Sequence, residues 1–474
     1  MSSRGVINKE MISRHKKLGL MAVSALSILL FAGCNETLRQ FIIPVPKPTG
    51  NPSALAHAVV ASTNPAGKGS TMDIDVSGDN MAATFATGPN PVFLGKASGR
   101  TFIINGDNTV STYPAPFSLA AAPIAFPVVN TITLPSSGPD TAITPVFVGM
   151  SSSGNVFLAN RDSNNISVIS SGSLAETQAI TLPGTGNSPV AIAGFGGNSK
   201  IYVVNNATNA VTVISTTDNT ILKTIPVGVH PIWGVMAANG VQVFIVNQGD
   251  GTAANPGSVS VIDTNSDVTI PCTPSTTGCD ATTGAISVGT SPATSAPNFA
   301  FYDTRLQRLY VTNTGEPTVS VIKADGINLG DKPPVLPGLL ANISISSASG
   351  APTSVVALSD GSKAYAAMGG CPSGTNHTNL VKSLGSCAGH EVAVIDAIAL
   401  LQAGATIPVG AGAVSIDASA DASRVYVVGA QAGSVSIIST SSNSVTTKLS
   451  VPQQDPSCTS SCPLQSPFSV RVFP

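Results

Sequence analysis

Six of the seven cysteines fall into three local pairs: Cys272 with Cys279, Cys371 with Cys387, and Cys458 with Cys462. A zinc knuckle wants two residues between its cysteines, and none of these pairs has that spacing. Only the middle pair has histidines nearby, His377 and His390, with no carboxylate cluster beyond Glu391, so no metal site is expected. Close neighbours in even number, in an exported chain, are expected to form disulfides. A second group of interest is the run GVHPIWGV at 228–235, which holds His230 and the only tryptophan, Trp233. An indole stacks readily on a ligand, but more often packs between elements of a fold. Two charged residues, Asp417 and Arg471, stand in otherwise apolar strand segments. There is no Gly-x-Ser-x-Gly elbow, His-Glu-x-x-His pair or phosphate loop. No nucleophile–base pair can be assembled, so no catalytic residue and no cofactor is expected.

The chain that must position these groups has 474 residues, of which only 10% are charged. So few charges exclude helical solenoids and coiled coils, whose wet faces need Glu, Lys and Arg. The 42% apolar share is ample for a core. At the start, Arg14, Lys16 and Lys17 precede an uncharged run from Leu18 to Phe31. That run is too short to span a bilayer, which takes roughly 20 residues, and it suits the apolar part of a signal peptide. It ends in Leu30-Phe31-Ala32-Gly33-Cys34, which resembles the lipobox of bacterial lipoproteins. The resemblance implies cleavage after residue 33, a lipid on Cys34 and attachment to a membrane, and Asn35 after the cysteine favours the outer membrane. Cleavage leaves 17 basic and 23 acidic residues, a net charge of −6. Such a surface offers no footprint for nucleic acid.

Residues 34–53 form a linker kept extended by Pro44, Pro46, Pro48 and Pro52. From residue 54 to 474 one pattern recurs. An apolar strand ends in a polar residue, as in VFLAN at 156–160, IYVVN at 201–205 and LYVTN at 309–313. A turn follows, then a second strand such as SVSVID at 258–263 or TVSVIK at 318–323. A third strand ends in Gly-x-x-Pro, as in TIPVGVHP at 224–231, and leads into the innermost strand of the next unit. Equivalent positions from Val59 to Tyr426 recur eight times with a spacing that never drops below 42 residues. A constant minimum with variable additions is the pattern of four-stranded propeller blades carrying loop insertions. Each blade alone is too small to be stable, and radial stacking buries both of its faces. The first unit lacks an inner strand, whereas Phe468–Phe473 stands at the other end without a unit of its own. The expectation is therefore an all-β propeller of four-stranded antiparallel blades, eight by count although seven is common, in one domain. The C-terminal strand completes the N-terminal blade. Asp75, Asp263 and Asp396 recur at one strand end, where their position-locked repetition points to turn capping.

The motifs LYVTN, TVSVI and Gly-x-x-Pro together resemble the YVTN (YncE-like) β-propeller repeat family over roughly residues 54–474. Relatives and other propellers include lactonases and quinone-dependent dehydrogenases, and single-stranded DNA binding occurs among YncE-like members. The inner strands here are almost purely Val, Ile, Ala, Phe, Gly and Ser, and the net charge is negative. The expected function is therefore a non-enzymatic binding or scaffold propeller of the cell envelope, a monomer that binds a protein, glycan or small ligand. A lactonase-like or dehydrogenase-like enzyme is the alternative. Strand order places the insertions Gly369–His390 and Pro452–Pro467 on one face, the expected binding rim, and the loop Thr264–Ala285 on the opposite face. His230, Trp233, His377 and His390 are candidate binding residues. Asp417 and Arg471, in inner strands of adjacent units, would either line a wet bore or pair with each other.

Overall fold

The computed structural model describes residues 56–473 apart from 65–66, 68, 98, 115–128, 135–143, 151–153, 195–198, 273–278, 280–283, 325–336 and 452–464. The signal region, Cys34, the linker and the Cys458–Cys462 pair lie outside the described residues. No described helix is long and apolar enough to cross a membrane.

Eight antiparallel sheets follow one another along the chain. The first blade holds His57–Thr63, Gly69–Asp75 and Asn80–Ala86, and its innermost strand is Ser466–Phe473 from the other end of the chain. That strand pairs with His57–Thr63 along its whole length, from His57 opposite Phe473 to Thr63 opposite Ser466. Ring closure therefore follows the expectation. The inner strands of the second to eighth blades are Phe93–Ala97, Pro145–Met150, Pro189–Ala193, Pro231–Met236, Pro297–Asp303, Ser354–Ala357 and Ala413–Ala418. Each begins close behind the Gly-x-x-Pro turn or its worn equivalent. Second strands such as Lys200–Asn205 and Arg424–Gly429 are buried on both faces, whereas the outermost strand Ser444–Ser450 alternates between exposed and half-buried. Large aromatic side chains at one register, among them Phe102, Phe157, Tyr202, Phe244 and Tyr426, are fully buried between blades.

The repeated polar residues hold the ring together, and their types follow from what they bond. Asn247, at the end of a second strand, donates through Nδ2 to the Ser260 hydroxyl (3.0 Å), which also accepts the Gly228 N–H (3.1 Å). Asn105, Ser111 and Gly88 repeat the arrangement at 3.0 Å each, as do Asn313, Ser320 and Gly289 at 3.0 and 2.9 Å. One hydroxyl thus ties two strands to the turn between blades. A Cβ at Gly228 would stand 2.6 Å from the Asn247 amide, which is why the turn carries glycine.

A second device joins neighbouring blades. Tyr202 donates to Asp267 Oδ1 (2.7 Å) and Lys200 to Asp267 Oδ2 (2.6 Å), reaching from the fourth blade to a turn of the fifth. Tyr365 and Lys363 hold Asn443 in the same way (2.7 and 2.8 Å), and Tyr426 and Arg424 hold Asp79 (3.3 and 2.8 Å). Asp79, Asp267 and Asn443 all have φ near +50°, a conformation that Asn and Asp tolerate better than other side chains. Asp75 and Asp263 cap the turns of Asp79 and Asp267, and Asp396 caps the matching turn of the seventh blade, by accepting the N–H two residues on, at 2.8, 3.0 and 2.9 Å. Their expected structural role holds.

The fifth blade differs from expectation. Its outermost strand is split into Val268–Thr269 and Ile286–Ser287, both paired with Ser258–Asp263. The Cys272–Cys279 disulfide closes the excursion between them. The turn Thr264–Asp267 stays tight, and the insertion leaves from the middle of the outer strand rather than from the opposite face. An outer strand can be interrupted there because one of its edges faces no neighbour.

Candidate functional site: a capped bore

The inner strands present two tiers of side chains towards the axis. Two positions after the turn proline, or its equivalent Ala413, stand Phe93, Phe147, Ala191, Trp233, Phe299, Ser354, Ser415 and Ser469. Four of these are aromatic and the rest are small. Phe93 lies 4.6 Å from Phe147, Phe147 5.3 Å from Trp233, and Trp233 4.8 Å from Phe299, centroid to centroid. These contacts make a continuous aromatic arc. Trp233 is 7% exposed and donates its indole N–H to Ala300 O (3.2 Å). It packs as one wall of the bore.

The insertion Gly369–His390 of the seventh blade closes this end. Cys371–Cys387 staples its foot, with the short helix Leu380–Ser383 between them. At its apex Asn376 Oδ1 accepts from the Thr378 N–H (3.0 Å) and hydroxyl (2.7 Å), a turn that presents His377. His377 donates Nε2–H to Val190 O of the fourth blade (2.7 Å), beside Ala191, where a small side chain leaves room. Its ring packs edge-on to Phe93, Phe147 and Trp233 at 6.0, 5.6 and 5.1 Å. Thr314 of the sixth blade accepts the Gly374 N–H (3.1 Å), Gln248 of the fifth donates to Gly374 O (3.2 Å), and Gln431 of the eighth donates to Gly385 O (3.0 Å). The cap rises from one blade and is held by six others. Burial pushes the His377 imidazole down to about 4, only partly opposed by the carbonyl of Val190. It is neutral at pH 7, and Nδ1 finds no partner among the described residues.

Beneath the cap lies a chamber of about 60 Å³, lined among others by His377, Asn376, Ser415 and Ser469. Below it the bore widens to about 430 Å³. Trp233, Phe299 and Arg471 line both spaces and form the waist between them. Two positions beyond the upper tier stand Ala193, Val235, Phe301, Asp417 and Arg471, all lining the lower bore. Asp417 and Arg471 therefore face the bore, as one of the two sequence readings had it. They form no ion pair. Asp417 accepts the Val472 N–H (2.9 Å) and the Ala418 N–H (2.9 Å), while Arg471 donates to Val470 O (2.9 Å). Desolvation lowers the Arg471 guanidinium from its ordinary value, and the nearby Asp417 charge opposes that. Lys96, on the neighbouring second blade, donates to Val472 O (2.9 Å) and sits 5.7 Å above the Phe473 ring.

His230 and His390 do not join this site. His230 is exposed on the cap-bearing rim, with φ +50° and Nδ1 3.0 Å from Gly249 O, in a groove with Asp250, Thr294 and Ser373. His390 is exposed at the foot of the cap, its N–H donated to Ser349 (3.1 Å). Among the described residues no three His, Cys, Asp or Glu side chains come together to hold a metal ion. Lys96, Phe93, Phe147 and Phe299 were not singled out from sequence. The signal that marks the three phenylalanines is their fixed offset of two from the turn proline.

No protein-family model and no curated protein sequence matches the chain. Solved structures do. The dihydro-heme d1 dehydrogenase NirN, solved in complex with DHE, is similar over 90% of this chain and 77% of its own, at TM-score 0.59 and 12% identity. Apo AztD from Citrobacter koseri is similar over 89% and 98%, at TM-score 0.56 and 10% identity. A putative 6-phosphogluconolactonase from Bacteroides uniformis is similar over 89% and 100%, at TM-score 0.52 and 9% identity. At these identities the likeness is one of fold, and this chain is an eight-bladed β-propeller of that architecture.

Proposed function

We propose that the chain is a non-enzymatic ligand-binding propeller of the cell envelope, anchored through a lipid on Cys34, that takes a small molecule into its bore from the side away from the cap. The observation that carries this reading is the seated cap. His377 and its neighbours fill the mouth on the loop-bearing face, leaving the 430 Å³ bore as the larger described space for a ligand. Pockets of a few hundred Å³ with apolar walls and a few placed polar groups suit small ligands. In this reading the insertion Gly369–His390, expected as one part of a binding rim, serves as a lid over the site, while residues 452–464 of the other part lie outside the described residues. The two disulfides formed within the described residues fit an oxidising compartment outside the cytoplasm. The YVTN resemblance rests on the repeat motifs, and neither the heme nor the lactonase chemistry of the fold relatives carries over on fold likeness alone.

Native mass spectrometry of the full-length protein, released from its own envelope in mild detergent, tests the reading. One small molecule per chain is expected, recovered unchanged after prolonged incubation with the protein and missing from Val235→Trp, which fills the bore. A bare chain, or chemical conversion of the recovered molecule, would contradict it.

A further inference from the structure

We infer that the bore selects an organic anion with an apolar body, its carboxylate or comparable acidic group held at Arg471. The inference rests on the bore being the binding site and adds the ligand's chemical class.

Three charged groups meet the bore, all on the seam between the eighth, first and second blades: Asp417, Arg471 and Lys96. The carboxylate of Asp417 is already occupied by two backbone N–H groups. Each of the two cations donates only to a main-chain carbonyl, Val470 O for Arg471 and Val472 O for Lys96, and neither is ion-paired with a carboxylate among the described residues. Among the described side chains that line it, two cations and one carboxylate, the seam thus carries one net positive charge. The remaining guanidinium donors of Arg471 meet no protein acceptor among the described residues. A guanidinium partly removed from water with donors to spare is costly unless something accepts from them, and its planar fork matches a carboxylate with two parallel hydrogen bonds.

The rest of the wall has the opposite character. Ile192, Val235, Met236, Phe301, Val355 and Ile416 line the wider part, and Trp233 and Phe299 stand at the waist beside Arg471. A fully hydrated inorganic anion would leave these surfaces wet, and a purely apolar molecule would leave the guanidinium unmatched. One molecule with an acidic end and an apolar body satisfies both. Its acidic end sits at the waist, where the chamber above offers the hydroxyls of Ser415 and Ser469 within the same lining. Its body points towards the open end.

Trp233 is the only tryptophan of the chain and lies at this waist, so its fluorescence reports occupancy directly. The experiment titrates the intact protein with octanoate, octan-1-ol and octylammonium, which share a body and differ in charge. The expected result is a saturable change in Trp233 emission with octanoate, at an affinity at least tenfold above that for octanol, and no saturable change with octylammonium. Arg471→Gln should erase the preference for octanoate over octanol. Because that residue lies in the closing strand, the comparison of the three compounds on the unaltered protein decides the matter by itself if the variant fails to fold. Equal binding of octanol and octanoate would overturn the anion while leaving the bore as a binding site. Saturation by octylammonium, or an unchanged preference in a folded Arg471→Gln protein, would overturn it as well.

Discussion

Tyr310 shows what the latch between blades costs when one partner is missing. Its hydroxyl is buried and finds no partner of good geometry among the described residues, although Tyr310 holds the same register in its blade as Tyr202. The position that is Asp267, Asn443 or Asp79 elsewhere is Leu400 in the seventh blade, at φ +55°. Leucine offers no acceptor and dislikes that backbone. Arg308 keeps the bond to a turn carbonyl, that of Ala397, which Lys200 and Lys363 also make in their blades. Leu400→Asn should therefore stabilise the protein by about 0.5–1.5 kcal/mol, relieving backbone strain and completing a hydrogen bond. Tyr202→Phe should cost about 1 kcal/mol and Tyr310→Phe almost nothing. Urea unfolding midpoints at unchanged slope measure all three, and an equal loss from the two Tyr→Phe changes would disprove the latch. The tyrosine of the repeat was legible in the sequence as a register mark. Its partner was not, because that lies in the next blade, some 65 to 78 residues on for Tyr202 and Tyr365.

Among the elements, the inner strands were readable because each follows a turn that carries glycine, proline or both, which narrow the backbone's choices. The closing strand was readable because the first unit lacked one. Removing Ser466–Pro474 strips the first blade of its inner partner and takes away Phe468, Val470 and Val472, all buried in the intact ring, so that the surfaces they cover become wet. Five or six ladder hydrogen bonds at about 1 kcal/mol each, with the burial of three apolar side chains, approach a typical total stability of 5–15 kcal/mol. The truncated chain should fail to unfold cooperatively, as seen by circular dichroism on heating, and a melting curve within a few degrees of the intact one would contradict closure. Two elements were not legible. Nothing in Val268–Thr269, only two residues long, marks the first half of the split outer strand, whereas its second half at Ile286–Ser287 stands before a Gly-x-x-Pro turn as the repeat requires. The cap's destination depends on where six other blades stand around the ring, which local periodicity does not encode. Its direction was readable from strand order, its seat was not.

At the scale of the molecule, eight blades make a bore wide enough to hold side chains and a ligand together, and the chain uses one insertion to shut one end. This insertion sits inside the mouth rather than standing free as a rim. His377 is its most direct reporter, because a free loop histidine titrates near 6.5 and a seated one is held neutral by burial. With the folded value below the unfolded one, seating of the cap is at full strength above pH 6.5 and weakens as pH falls through that value towards 4. The measurement is the ¹⁵N and ¹H titration of the His377 ring by NMR, assigned by comparison with His377→Gln. The expected result is an Nε2–H tautomer that stays neutral down to about pH 4, with the Trp233 and Phe147 rings shifting its ring protons. A midpoint between 6 and 7, with no sign of the neighbouring rings, would contradict it.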